Sequence, residues 1–176
     1  MESAFRRRVV TALVRRLGEA DYEALREIRL EALRLHPEYF SAELEIEEAM
    51  TREQWLARMA SAATLGGFIG GVLSGIIVFA QPASKKTRHT GELGAMYVRA
   101  ATRGTGVADA LIEAAIDHAV DEVEQLKLTV NAENARAIRF YERHGFRTIG
   151  RYPNSLRVNG RSYEELIMFR AVSSSD

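Results

Sequence analysis

A turn with two glycines, set between a strand and a long amphipathic helix, constrains this chain more than any other stretch. Leu93 to Val98 reads as a strand. Beyond it, Val107, Leu111, Ile112, Ala115, Ile116, Ala119, Val120 and Val123 recur at helical spacing on one apolar face. The intervening Arg103-Gly104-Thr105-Gly106 therefore delivers the chain into a helix N-terminus. The first amides of such a helix are unpaired and carry a partial positive charge. Glycine has no Cβ, so an anion can come close to the backbone there. The arrangement suits a phosphate or pyrophosphate with Arg103 beside it, and it equally suits a turn that needs glycine only for its dihedrals. It is not a P-loop, because no Gly-Lys-Ser/Thr closes it, and Asp109 stands where the third glycine of a dinucleotide fingerprint belongs.

The rest of the chain is read around that turn. At 176 residues a single domain spanning 1–176 is expected. Lys plus Arg and Asp plus Glu are 24 each, so no overall field points to nucleic acid or to acidic lipid. The absence of cysteine removes a disulfide framework, a thiolate nucleophile and a cysteine zinc site, and a reducing cytoplasm is the expected setting. Arg6, Arg7 and Arg8 have no long apolar run behind them, so a secretory signal is not expected. Val9 to Val14 reads as the first strand. Ala20 to Leu35 carries a helical stripe at Leu25, Ile28, Ala32 and Leu35 and is stopped by Pro37.

An acidic run follows at Glu43, Glu45, Glu47 and Glu48. It reads as a solvated face or, functionally, as a rim that attracts a cationic acceptor. Thr51 and Gln54 form a capping box, with Met50 and Trp55 able to staple it, and a short helix runs to Ser61. Ser61 to Ser84 contains no charge, which raises a membrane span. The Gly70-Gly71 pair in its middle favours a hairpin of buried strands, Leu65 to Ile69 and Val72 to Ala80. Gln81 to Thr90 reads as a solvated loop. After the long helix, Leu126, Leu128 and Val130 alternate with polar residues as a further strand.

A second informative stretch is Asn131 to Phe146. Ala137, Ile138 and Tyr141 share a helical face, and Gly145 is placed as a C-terminal cap. Phe146 to Gly150 reads as a strand. Leu156 to Val158 and Tyr163 to Phe169 flank the hairpin signal Asn159-Gly160, and Ser173 to Asp176 reads as a frayed tail.

Together the two stretches resemble the GNAT superfamily of acyl-CoA-dependent N-acetyltransferases. Arg103-Gly104-Thr105-Gly106-Val107-Ala108 resembles its Arg/Gln-x-x-Gly-x-Gly/Ala loop, with alanine at the third small position and no proline in the preceding Arg99-Ala100-Ala101. Asn134-x-x-Ala137-Ile138-x-Phe140-Tyr141-x-x-x-Gly145-Phe146 resembles its second motif, and the order of elements over 8–170 fits as well. The resemblance implies an α/β fold of the α+β type: a mixed, mostly antiparallel sheet flanked by helices, with two strands splayed into a V that holds acyl-CoA. It implies that the pyrophosphate lies on the amides of Gly104, Thr105, Gly106, Val107 and Ala108 and that the pantetheine arm pairs with the backbone of Met96 and Val98. Asn134 would bond to that arm.

The implied chemistry is direct transfer of acetyl from acetyl-CoA to a primary amine of a small molecule or peptide, with no metal. An alkylamine with a pKa of about 10.4 must first lose a proton. The Met96 N–H would hold the oxyanion and Tyr141 would return a proton to the thiolate. Glu92, four residues before Met96 where some members of the family carry a catalytic glutamate, would be the base, with a water chain to solvent and a plain strand-end carboxylate as the alternatives. His36, His89, His118 and His144 show no metal-ligand spacing; His118 is expected on an exposed helix face and His144 by the Gly145 cap. Two other classes stay open: a non-catalytic acyl-CoA-binding or sensing module of the same fold, and a protein that places another phosphate ligand on the glycine turn. Residues 36–60 and 151–162 would face the acceptor, whose identity, like a homodimer, the sequence leaves open.

Overall fold

The computed structural model describes residues 12–172. The first half of the expected first strand, residues 9–11, and the C-terminal tail lie outside that range. Strand β1, Leu13–Arg16, is followed by helices α1, Tyr22–Leu35, α2, Leu44–Ala49, and α3, Arg52–Ser61. The hairpin β2, Ala63–Ile69, and β3, Val72–Ala80, comes next, then β4, Thr90–Val98, and the long helix α4, Val107–Val120. Strand β5, Gln125–Asn131, helix α5, Ala135–Arg143, and the hairpin β6, Arg147–Val158, and β7, Arg161–Ala171, complete the order.

Local signals explain most of these boundaries. Gly70 and Gly71 have φ of 59° and 83°, the left-handed pair that a two-residue hairpin turn needs. The charge-free stretch is thus two paired strands, and among the described residues no helix is long and apolar enough to cross a membrane. The Thr51–Gln54 capping box forms in both directions, and Met50 packs in the same cluster as Trp55. Gly145 follows the end of α5 with φ of 80°, as a C-terminal cap requires. The expected short strand from Phe146 continues instead through Tyr152 to Val158 as one long β6, with a register irregularity between Tyr152 and Leu156 that takes up Pro153 and Asn154. Proline is tolerated there because β6 is an edge strand and the irregularity removes the need for its N–H.

The seven strands form one sheet in the order β1-β2-β3-β4-β5-β7-β6, antiparallel everywhere except between β4 and β5. Helix α4 lies on one face, its fully buried Leu111 and Ile112 packed in a cluster with Leu65, Ile77, Leu126 and Met168. Its close approach depends on small residues below it. A Cβ on Gly67 would stand 2.5 Å from Val107 Cγ2, and one on Gly75 would stand 2.8 Å from Leu111 Cδ1. Helices α1 and α3 cover the other face, where Ile28 and Trp55 pack with Ile76 and Tyr97. His118 is half-buried and meets Phe79 edge-on, with ring centroids 5.1 Å apart, rather than lying on an exposed helix face.

Candidate active site

The parallel pair that joins the halves of the sheet is short. Thr90, Gly91 and Glu92 pair with Gln125, Leu126 and Lys127, and the two strands share no register beyond that point. Strand β4 continues to Val98 against β3, while β5 continues to Asn131 against β7. Each strand keeps its outer partner and loses its inner one, so a V opens toward the C-terminal ends of both. The V holds a cleft of about 920 Å³ walled by β4, β5, the glycine turn and α5. That volume is at the upper end for small-molecule sites.

The β4 wall is broken in the middle. Ile76 pairs with Tyr97 and Val78 with Gly94, so Ala95 and Met96 share the space opposite Ile77. Ala95 has φ of 52°, a left-handed conformation uncommon for a residue with a side chain. Such a bulge takes backbone groups out of the ladder and re-aims them, and it turns Met96 toward the cleft. Farther along, Tyr97 donates to Glu31 Oε1 at 2.8 Å, and burial together with that bond pushes its phenol up to about 12. Arg99 also holds Glu31, at 3.0 Å, so the end of β4 is tied to α1. Past Glu92, β3 holds one edge of β4 and β5 has left the other, so that second edge faces the cleft.

The glycine turn sits at the mouth of the V. Gly104 and Gly106 have φ of 79° and 87°, and a Cβ at either would meet nothing within 4 Å. Glycine serves the dihedrals here and also keeps the approach to the amides open. The first intrahelical bond of α4 runs from Ala110 N–H to Gly106 O, at 3.0 Å. Among the described residues, the amides of Gly104, Gly106, Val107 and Ala108 therefore have no backbone acceptor. Thr105 departs from the expectation: its amide and its hydroxyl both donate to Thr102 O, at 3.3 and 2.6 Å, and so hold the turn itself. Arg103 lines the cleft with its guanidinium folded back, donating from Nε to Val98 O at 3.2 Å. It thus occupies the carbonyl expected to pair with a pantetheine arm.

Across the cleft, α5 brings Asn134 and Tyr141 to the same wall. Asn134 caps the helix by accepting from the Ala137 N–H at 3.1 Å, which leaves its Nδ2 to donate outward. Tyr141 is 9% exposed and lies among apolar residues including Phe146, with ring centroids 5.9 Å apart. Burial pushes its phenol well above the ordinary value of about 10. Tyr141 lines the cleft, and among the described residues no side chain or backbone group pairs with its hydroxyl.

Glu92 lies elsewhere. It is at the closed end of the V, 51% exposed and 2.7 Å from Lys127 Nζ, where it lines a second cavity of about 370 Å³. The two cavities meet at Leu93, Gly94 and Ala95, and Arg29 and Ser41 line both.

The acidic run does not form a free rim. Glu47 is buried, accepting from Arg29 Nε at 3.0 Å and from Arg58 Nη1 at 2.8 Å. Glu48 accepts from Arg34 at 2.7 Å. Arginines of α1 and α3, not a substrate, take half of the run. The sequence pattern hid this because the partners lie 18 and 11 residues from Glu47 along the chain.

Three further groups in the cleft had no signal in the sequence. Asp109, in the first turn of α4, meets His144 Nε2 at 2.9 Å and Arg143 at 3.3 Å, so the acid next to the anion cradle is compensated by the end of α5. Glu165 lines the cleft beside Asn131 and accepts the Ser155 hydroxyl. Arg29 is the third.

Residues 22–146 match the model of the Acetyltransferase (GNAT) family. A Bacillus subtilis (strain 168) protein, YwnH, provisionally named a phosphinothricin acetyltransferase, is 27% identical over 96 residues. That match covers 54% of this chain and 56% of the relative, so the chain spans little more than half the length of the curated relative it matches. Among solved structures, a GNAT-family acetyltransferase from Streptococcus pneumoniae superposes with a TM-score of 0.81 at 23% identity, covering 92% of this chain and 99% of the other. YncA of Salmonella typhimurium, provisionally named an acetyltransferase and solved with acetyl-CoA, superposes with a TM-score of 0.81 at 22% identity over 94% of this chain and 96% of the other. These likenesses bear out the expected fold, a mixed and mostly antiparallel sheet flanked by helices.

Proposed function

The chain belongs to the GNAT family of acetyltransferases, and we propose that it moves an acetyl group from acetyl-CoA directly to a primary amine. The observation that carries this reading is the cleft itself. Unpaired amides stand at its mouth, a bulged strand edge forms one wall, and Tyr141, whose hydroxyl pairs with no group among the described residues, stands on the other. A long thioester with an anionic middle fits that order of groups. Acetyl-CoA, when bound, supplies the activated acetyl carbon.

Each residue then has a task. The amides of Gly104, Gly106, Val107 and Ala108 bind pyrophosphate, reinforced by the positive end of α4. Arg103 swings off Val98 O, so that the strand edge at Met96 and Val98 can pair with the arm, and Asn134 Nδ2 donates to it from the facing wall. The Met96 N–H, freed from the ladder by the bulge, donates to the oxygen that gains charge as the amine nitrogen bonds to the acetyl carbon. As the carbon–sulfur bond breaks, the Tyr141 hydroxyl gives its proton to the leaving thiolate, and the proton that the nitrogen loses on becoming an amide passes through solvent to restore the phenol. A phenol held above its ordinary pKa stays protonated through neutral pH and is available for that transfer. The ammonium of the acceptor loses its proton through the second cavity, where Glu92 is half in solvent and acts through water.

The test is release of free thiol from acetyl-CoA with a panel of amines, with the acetylated product identified by mass. Thiol release that depends on an amine, with one acetyl group gained per thiol, is expected. Tight acetyl-CoA binding without turnover on any amine would instead support a non-catalytic acyl-CoA-binding module.

A further inference from the structure

Arg29 does not fit the needs of a purely structural ion pair. It projects from the middle of α1, is 6% exposed, and meets an equally buried Glu47. Its Nε and Nη2 both donate to that carboxylate, with Nε at 3.0 Å from Oε2 and Nη2 at 3.1 Å from Oε1. Its Nη1 is buried and, among the described residues, has no partner. A buried guanidinium nitrogen left unpaired is costly, and charged groups pay more than neutral ones.

The charge at this place is also out of balance. Glu47 serves two arginines, because Arg58 Nη1 reaches its Oε1 at 2.8 Å. Two cations share one anion, and both cations line the second cavity. The carboxylate that could offset them there, Glu92, is already held by Lys127 at 2.7 Å. The wall of the second cavity thus carries one uncompensated positive charge.

The position is specific as well. Arg29 lines the main cleft and the second cavity, and the two meet at the bulge of β4. A group bound by Arg29 is therefore held beside the strand segment from which Met96 addresses the reacting carbon. Phe40, which lines the cleft too, lies over the guanidinium with its centroid 5.1 Å from Cζ. Nη1 is the nitrogen that neither oxygen of Glu47 uses.

We infer that the acceptor is a small amine that carries a carboxylate, and that Arg29 binds that carboxylate at the junction of the two cavities. The inference rests on the transferase reading above and adds the class of acceptor to it. It reverses the expectation from the acidic run, since Glu47 tethers arginines and does not attract a cation. A planar guanidinium with one free edge matches a carboxylate better than a point charge would. The amine of the same molecule then lies near the bulge.

The experiment compares three forms of one acceptor: the free amino acid, its carboxamide and its decarboxylated amine, across the common amino acids. Wild-type protein is expected to favour the acid over both partners by about 10- to 100-fold in kcat/KM, the range for a charge-assisted bond. The amide has the less basic amine, so a preference for the acid runs against the supply of free amine. In Arg29→Met/Glu47→Leu both members of the buried pair are replaced together, which strands neither of them, and Arg58, which also reaches Glu47, is exposed enough to be solvated. That variant is expected to lose the preference to within about threefold, mainly through KM, with acetyl-CoA affinity unchanged. Arg29→Lys keeps the charge without the fork and should fall between the two. Equal or better use of the uncharged forms by wild-type protein overturns the inference and needs no variant to do so. A preference that survives in the folded double variant overturns Arg29 as its source. If acetyl-CoA binds but no form of any acceptor is acetylated, the transferase reading fails and takes this one with it.

Discussion

The two cavities that meet at Gly94 and Ala95 are built by opposite means. The main cleft takes its working groups from short contiguous runs: the turn at residues 103–108, the bulge at 95–96 and one helix from Asn134 to Tyr141. The groups there that would receive acetyl-CoA are mostly backbone amides, positioned by secondary structure. The second cavity is assembled from α1, α3, β3 and β4, and its charges are long arginine and glutamate side chains that hold one another. A site made of backbone tolerates side-chain change around it, so it suits the part of a substrate that never varies. A site made of interlocked side chains can be rewired by a single substitution and suits the part that differs from one enzyme to the next.

If that contrast is real, the largest single effect falls on the backbone site. Gly106→Asp is expected to weaken acetyl-CoA binding by about a thousandfold, because a carboxylate then faces the pyrophosphate and two or more charge-assisted bonds are lost. The cost to folding should stay near 1 kcal/mol, since aspartate at a φ of 87° is strained but meets no neighbour. Titration calorimetry and urea unfolding separate the two effects, and unchanged affinity in a folded variant would remove the cradle.

The side-chain site should answer in the other way, with a large stability effect and little change in acetyl-CoA affinity. Glu47→Gln leaves Arg29 buried without its counter-ion and is expected to cost about 3 kcal/mol in urea unfolding at neutral pH. A loss under about 0.5 kcal/mol would mean that the interlocked cluster contributes nothing to the fold.

Tyr141→Phe removes one oxygen from the donor side. Turnover should fall about a hundredfold, with acetyl-CoA affinity within about twofold, as measured by steady-state kinetics beside calorimetry. The buried phenol keeps its proton beyond the ordinary range, so the wild-type rate should show no alkaline loss below about pH 10 that Tyr141→Phe abolishes. For stability the sign is the same: a phenol whose pKa is raised by folding contributes fully below its unfolded value. That contribution is lost as pH rises above about 10 and through the raised value.

The smallest effect is expected at Glu92. Because it is half-exposed and tied to Lys127, Glu92→Gln should lower kcat/KM only about tenfold near pH 7, below the usual range for a positioned base. The deficit should narrow toward the pKa of the amine, where solution supplies the free base. An equal deficit at every pH would assign Glu92 to binding instead.

The same contrast decides how much could be read before the structure was seen. The glycine turn, the capping box at Thr51, the Gly70-Gly71 hairpin and the Asn134–Gly145 helix were legible because their causes are local. Each is a dihedral requirement, a cap or a periodicity within a dozen residues. The V could be anticipated only through a family resemblance, because the loss of pairing after Glu92 is a property of two distant strands. The roles of Glu47, Asp109 and His118 were misread or missed because their partners lie far along the chain: Arg29, His144 and Phe79. Thr105 shows a finer limit, since the motif marks the turn but not which of its amides the turn itself consumes.

Amide NMR during a titration with acetyl-CoA reads whether the backbone amides of one turn and one bulge receive the cofactor. The largest shifts are expected at Gly104, Gly106, Val107, Ala108 and Met96. Shifts should be small at Thr105, whose N–H already donates to Thr102, and at Glu43 to Glu48, which do not line the cleft. Shifts confined to the Gln81 to His89 loop, with the 104–108 amides and Met96 unmoved, would contradict that placement of the cofactor.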